Sequence, residues 1–149
     1  MVAEDLRDFN RAWSYYQQAL SISVECNDRE SEAIVYHQLG CVAAKRRDFN
    51  QAKSLLQQAL SIKIELEDRH SQASTYHQLG RVAEDLKEYE EARSFLQKAL
   101  DIKIELEDRC SQAITYYVLG MVAARLGELM QARAHYRKAI SLYDEFGDK

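Results

Sequence analysis

The stretch Tyr36-His37-Gln38-Leu39-Gly40 returns as Tyr76-His77-Gln78-Leu79-Gly80, and again, altered, as Tyr116-Tyr117-Val118-Leu119-Gly120. The spacing is 40 residues each time. Further out, the run from Ile62 to Arg69 recurs unchanged from Ile102 to Arg109, and Ala19-Leu20-Ser21-Ile22 anticipates Ala59-Leu60-Ser61-Ile62. Self-similarity at a fixed period marks a repeat architecture, in which each copy is one structural module.

Each module reads as two helices. In the copy that begins near residue 70, Ala73, Tyr76, Leu79, Gly80 and Ala83 recur at spacings of three and four, one face of a helix running roughly from Ser71 to Leu86. Asp68 suits its N-cap. A break falls near Lys87-Glu88, with counterparts at Arg47-Asp48 and Gly127-Glu128. The second helix runs roughly from Tyr89 to Leu106, with Ala92, Phe95, Leu96, Ala99, Leu100, Ile102 and Ile104 on its buried side. Short connections make the two helices antiparallel neighbours. Glycine inside a helix costs about 0.5–1 kcal/mol against alanine. Gly40, Gly80 and Gly120 are therefore expected where another helix backbone passes close by, with Ala52, Ala92 and Ala132 as small partners.

The bulk numbers agree with an all-helical, folded chain. Of 149 residues 46% are hydrophobic and 30% charged, there is no proline, and only five glycines interrupt. The net charge of −4, with Lys and Arg interleaved among Asp and Glu, argues against nucleic acid as a partner. The N-terminus is too charged for a signal peptide, and no apolar run approaches the ~18–20 residues that span a bilayer, so no membrane role is expected. Cys26, Cys41 and Cys110 are odd in number and far apart, which suggests neither a disulfide framework nor a zinc site, and fits a reducing cytoplasm.

These residues resemble the tetratricopeptide repeat. Tyr36, Leu39, Gly40, Ala43, Ala52, Leu56 and Ala59 carry its pattern. So do Tyr76, Leu79, Gly80, Ala83, Ala92, Leu96 and Ala99, and Tyr116, Leu119, Gly120, Ala123, Ala132, Tyr136 and Ala139. Ala12, Tyr16 and Ala19 supply a half module. The resemblance implies an α-solenoid, a right-handed superhelical array of antiparallel helix pairs with about three and a half modules. An incomplete N-terminal module would occupy 1–29, holding the end of a first helix and a second helix. Full modules would follow at 30–69, 70–109 and 110–149. The usual repeat has 34 residues. Without a proline to stop it, the second helix here can run on, and the 40-residue period is similar to that of kinesin light chains, spindle-orientation adaptors and bacterial regulators.

The resemblance further implies a protein-interaction scaffold or adaptor that takes a peptide or protein partner in a concave groove lined by the first helices. The groove positions would be Ile34, His37, Cys41, Ala44 and Lys45, then Ser74, His77, Arg81, Glu84 and Asp85, then Ile114, Tyr117, Met121, Ala124 and Arg125. Arg81 between Glu84 and Asp85 suits a polar ligand group, and Ile114, Tyr117 and Met121 form an apolar spot. An alternative reading has Ile114 and Met121 packing only against neighbouring modules. The Lys and Asn set with which co-chaperones of this family hold a carboxylate has no match: Cys41, Arg81 and Met121 stand at the Asn place, and His37, His77 and Tyr117 where Lys would help.

Other classes of function find less support. His37 and His77 occupy equivalent places, but modules about 10 Å apart do not bring two such rings to one ion, and Cys41 with His37 makes only two ligands, so neither a metal nor a cofactor is expected. No unique nucleophile, base and orienting group stand out and no glycine-rich phosphate loop exists, so enzymatic activity is not expected. Glu65 with Arg69, and Lys63 with Glu67, read as surface pairs at i, i+4. Uncovered helix faces at the two ends of the array would favour homo-oligomers, through Leu129, Ala132, Tyr136, Ile140 and Tyr143. A regulatory or sensor segment of a larger signalling protein is a further alternative.

Overall fold

The structure, a computed structural model, describes residues 3–147. They form seven α-helices: α1 Ala3–Glu25, α2 Arg29–Lys45, α3 Phe49–Glu65, α4 Arg69–Asp85, α5 Tyr89–Glu105, α6 Arg109–Arg125 and α7 Leu129–Gly147. No strand occurs among the described residues. None of these helices is long and apolar enough to cross a membrane. The chain divides into two compact units, Met1–Asp68 with α1 to α3 and Arg69–Lys149 with α4 to α7.

The turns are built on one plan. After α2, Arg47 takes a left-handed conformation (φ 65°). Its N–H donates to Ala44 O (3.0 Å), and the Asp48 N–H donates to Ala43 O (2.9 Å). That is the Schellman pattern, which closes the last orphan carbonyls of the helix. Asp48 then starts α3, its carboxylate accepting from the Gln51 N–H (3.4 Å). Asp28 and Asp108 cap α2 and α6 in the same way, by way of Ser31 and Ser111. Three residues thus end one helix and begin the next. Left-handed φ also occurs at Asn27, Glu67, Lys87, Glu107 and Gly127.

The first unit packs α2 against α3 through Ala33, Leu39 and Ala43 on one side and Ala52, Leu56 and Ala59 on the other, all at most 3% exposed. In the second unit Ala83, Ala92, Leu96, Leu100, Val118, Leu119 and Val122 form one buried cluster across α4, α5 and α6. The repeated glycines sit where a partner side chain takes the space, and at Gly40 and Gly80 the backbone of the neighbouring helix also passes close, at Ala52 O and Ala92 O. A Cβ on Gly80 would lie 2.6 and 2.9 Å from Leu96 Cγ and Cδ2 and 3.3 Å from Ala92 O. Gly40 meets Leu56 and Gly120 meets the Tyr136 ring in the same manner.

Three features differ from expectation. The N-terminal segment is one uninterrupted helix, α1, with no turn at Arg7-Asp8. The left-handed residue that ends α2 at Arg47 has no counterpart at Arg7, so the helical backbone runs on through Arg7-Asp8. Ile104, expected on the buried side of α5, is 48% exposed, while Lys103 is 8% exposed. At about 100° per residue Lys103 falls in line with Ala92, Leu96 and Ala99, and Ile104 turns away from that line. The local ion pairs also give way to longer ones. Arg29 grips Glu65 through Nε and a terminal nitrogen (3.1 and 2.9 Å). Arg69 grips Glu105 (3.1 and 2.9 Å) and Arg109 grips Glu145 (3.1 and 2.7 Å) likewise. Each pair ties the start of a first helix to the end of the second helix in its own pair, and all six groups are exposed, so they set register more than stability.

Candidate functional site

In the first unit Ile34, His37, Cys41 and Lys45 follow one another at spacings of three and four along α2. Ile34 is 52% exposed, Lys45 is exposed, and His37 and Cys41 are half-buried. Lys63, expected on the surface, is buried at the end of α3, and its ammonium donates to His37 Nδ1 (3.2 Å). Burial, reinforced by the Lys63 charge, lowers His37 to about 4, so the ring is neutral. Burial also pushes the Cys41 thiol up against the opposing pull of Lys45 and Lys63, which keeps it protonated and unreactive. Ile34 reaches a groove of about 390 Å³ between α1 and α2, lined also by Ile22, Cys26 and Ser31.

The second unit holds the more developed site. A cleft of about 320 Å³ opens where the end of α5 meets the starts of α4 and α6. His77, Lys103, Ser74, Asp108, Ser111 and Ile114 are among its walls. Thr115 is the hub beneath. Its hydroxyl donates to Ser111 O (3.2 Å) and accepts from the Lys103 ammonium (2.7 Å). His77 Nδ1 lies 3.2 Å from the same oxygen. With the hydroxyl proton committed to Ser111, the hydrogen-bond network assigns the His77 proton to Nδ1. Burial, then the charges of Lys103 and Arg81, lowers His77 to about 4. Burial lowers Lys103 as well, against the pull of Asp108. Asp108 is held low chiefly by the Ser111 hydrogen bond. The cleft therefore combines an enclosed ammonium, a carboxylate, a neutral imidazole and two serine hydroxyls beside Ile114, which is 46% exposed.

Further along α4 and α6 lie the other positions named from sequence. Arg81, Asp85, Tyr117, Ala124 and Arg125 are exposed, and Glu84 and Met121 half-buried. The Tyr117 ring stands 5.8 Å from that of Tyr136. Burial and then Asp85 raise Glu84, while Arg81 and Arg125 oppose the shift. His77 and Ile114 join one cleft, whereas Arg81, Glu84 and Tyr117 belong to this second patch. Ile114 is about half exposed, and Met121 is half-buried.

Lys103 and Thr115 escape a reading based on residue type, since lysine is usually solvated. The signals lie in the repeat: Lys103 continues the stripe of Leu96, Ala99 and Leu100, and Thr115 stands where one earlier copy has Val35. Of the residues named for self-association, Ala132 is 4% exposed and thus unavailable. Tyr136 is half-buried on Gly120. Leu129, Ile140 and Tyr143 are exposed. Among the described residues no cluster of three or more His, Cys, Asp or Glu side chains could hold a metal ion.

The tetratricopeptide repeat profile matches three overlapping stretches, 1–65, 31–105 and 71–145. The chain belongs to the tetratricopeptide repeat family. BtubC (BKLC) from P. vanneervenii has the same fold, with a TM-score of 0.88 at 23% identity over 95% of this chain and 59% of that one. A Rap protein complexed with competence and sporulation factor gives 0.86 at 20% identity, over 95% of this chain and 39% of its own. A kinesin light chain-like protein of Podosopora anserina, with nearly identical TPR-like repeats, gives 0.80 at 16% identity over 95% and 70%. The chain thus spans less than two thirds of the length of the first two. No curated protein matches by sequence.

Proposed function

We propose that this tetratricopeptide repeat chain is a protein-interaction scaffold whose partner, a peptide or a segment of a protein, lies along the first helices of its pairs. The observation that carries this reading is the α4–α6 face of the second unit. There a cleft with a buried cation and neutral polar groups sits beside exposed Ile114, and a second patch offers Arg81 and Tyr117. Such a surface suits an extended or helical peptide. Its polar backbone groups can meet Ser74, Ser111 and His77, and an apolar side chain can rest on Ile114 or Tyr117. In the first unit Ile34 and Lys45 on α2 offer a smaller version. That a Rap protein of this fold is found complexed with a factor supports the reading.

The test is capture from a source lysate with the native chain and with an Arg81→Glu, Tyr117→Ala double variant. Both substituted residues are exposed, so helicity should be unchanged. A protein retained by the native chain and lost with the variant supports the scaffold reading. Equal capture by both removes this face from the function.

A further inference from the structure

Two enclosed polar groups in the cleft of the second unit keep hydrogen-bonding capacity that the fold does not use. The Lys103 ammonium carries three donors. Two go to Thr115 Oγ1 (2.7 Å) and Ser111 O (3.4 Å), which leaves the third. His77 donates from Nδ1 to the same Thr115 oxygen (3.2 Å), so its Nε2 keeps a lone pair and is an acceptor. Nε2 bonds to no described residue, and no buried side-chain nitrogen or oxygen among those residues lacks a partner, so this atom opens to solvent. Both residues line the cleft, and each is 8% exposed. A spare donor and a spare acceptor thus stand side by side, both anchored on Thr115.

Enclosure and charge narrow the occupant. Groups this enclosed are reached by the tip of a side chain, not by a passing backbone. Asp108 lines the same cleft and repels an acidic tip, while Lys103 repels a basic one. A hydroxyl holds its donor and acceptor on one oxygen, whereas a carboxamide carries an acceptor oxygen and N–H donors on separate atoms, as the spare pair requires. The first unit supplies a control. Ser23 and Val35 stand there in place of Lys103 and Thr115, and the groove they line has Ile22 and Ile34 as walls and no imidazole. On the scaffold reading of the α4–α6 face, on which the inference rests, we propose that the cleft takes the side-chain carboxamide of an asparagine or glutamine of the partner. Its oxygen accepts from Lys103, its amide donates to His77 Nε2, and its stem rests beside Ile114.

The experiment titrates the full chain with N-acetylglutamine N-methylamide while NMR follows the His77 ring and the Thr115 methyl group. Saturable shifts in the millimolar range are expected. The glutamate and methionine analogues have nearly the same size but cannot satisfy both groups, and should bind about tenfold more weakly or worse. Lys103→Met should abolish the response, with a matching circular dichroism melt as the check on the fold. Ser74→Trp, at the exposed rim, should also abolish it by blocking entry, and serves where Lys103→Met does not fold. Equal binding of the three analogues, binding that survives Ser74→Trp, shifts only outside the cleft, or no saturable shift would overturn the proposal. Should that happen while partner capture still depends on Arg81 and Tyr117, the carboxamide assignment falls alone. Should the glutamine probe bind while the native chain and the Arg81→Glu, Tyr117→Ala variant capture equally, the cleft keeps its ligand class and the scaffold reading falls.

Discussion

Lys103 and His77 show how little of a residue's role follows from its type. An ammonium enclosed by protein stays tolerable because Thr115 and the Ser111 carbonyl accept its protons. The neutral ring of His77 completes the set. Its folded value of about 4 lies below the ordinary 6.5. Below pH 6.5 the unfolded chain takes up a proton that the folded chain refuses. The neutral ring's contribution is therefore fully present above 6.5 and lost as pH falls towards 4. The whole loss is on the order of 3 kcal/mol. Urea midpoints measured at pH 7.5 and 4.5 should draw apart less in a His77→Gln chain, whose amide can still donate to Thr115. Equal slopes would place His77 outside the cluster. The turn residues carry a second expectation. Gly127 has φ 78° with open space around its Cα, so Gly127→Ala should cost about 1 kcal/mol through backbone strain alone. Lys87→Gly, at φ 61°, should gain several tenths of a kcal/mol in the same thermal melts.

At the level of elements, pairing rather than propensity decides the helices. Gly80 loses helix propensity but admits Leu96, and an added Cβ would lie 2.6 Å from Leu96 Cγ. Gly80→Ala should therefore destabilise by about 1–3 kcal/mol, although alanine is the better helix former. A higher melting temperature for that variant would contradict the packing. The period of 40, the paired helices and the turns at Arg47, Lys87 and Gly127 are legible in the chain, because repetition lets each copy confirm the next. The continuity of α1 is not, because Arg7-Asp8-Phe9 reads like Arg47-Asp48-Phe49 while only Arg47 takes the left-handed conformation. The Arg29–Glu65, Arg69–Glu105 and Arg109–Glu145 pairs are likewise hidden at a separation of 36, while the local alternative at i, i+4 is easy to see.

For the molecule as a whole, the repeat leaves two kinds of surface: the faces of the first helices, where polar and apolar groups alternate, and the exposed apolar strip of α7. The residues of the first are legible only through family resemblance. Ile114 and Tyr117 are readily accessible, but the cation of the cleft is hidden from the sequence, since a lysine between two isoleucines reads as a surface residue. The strip of α7 was only partly legible. Leu129, Ile140 and Tyr143 stand out by comparison with α5, whereas Ala132 resembles them in the sequence and is buried in the fold. The measurement that bears most directly on the scaffold role is amide hydrogen exchange by mass spectrometry, with and without the protein that the native chain captures. Slowed exchange in 70–85 and 109–125 upon binding is expected. Slowing confined to 129–147, or none in α4 and α6, would contradict the assignment of the partner to that face.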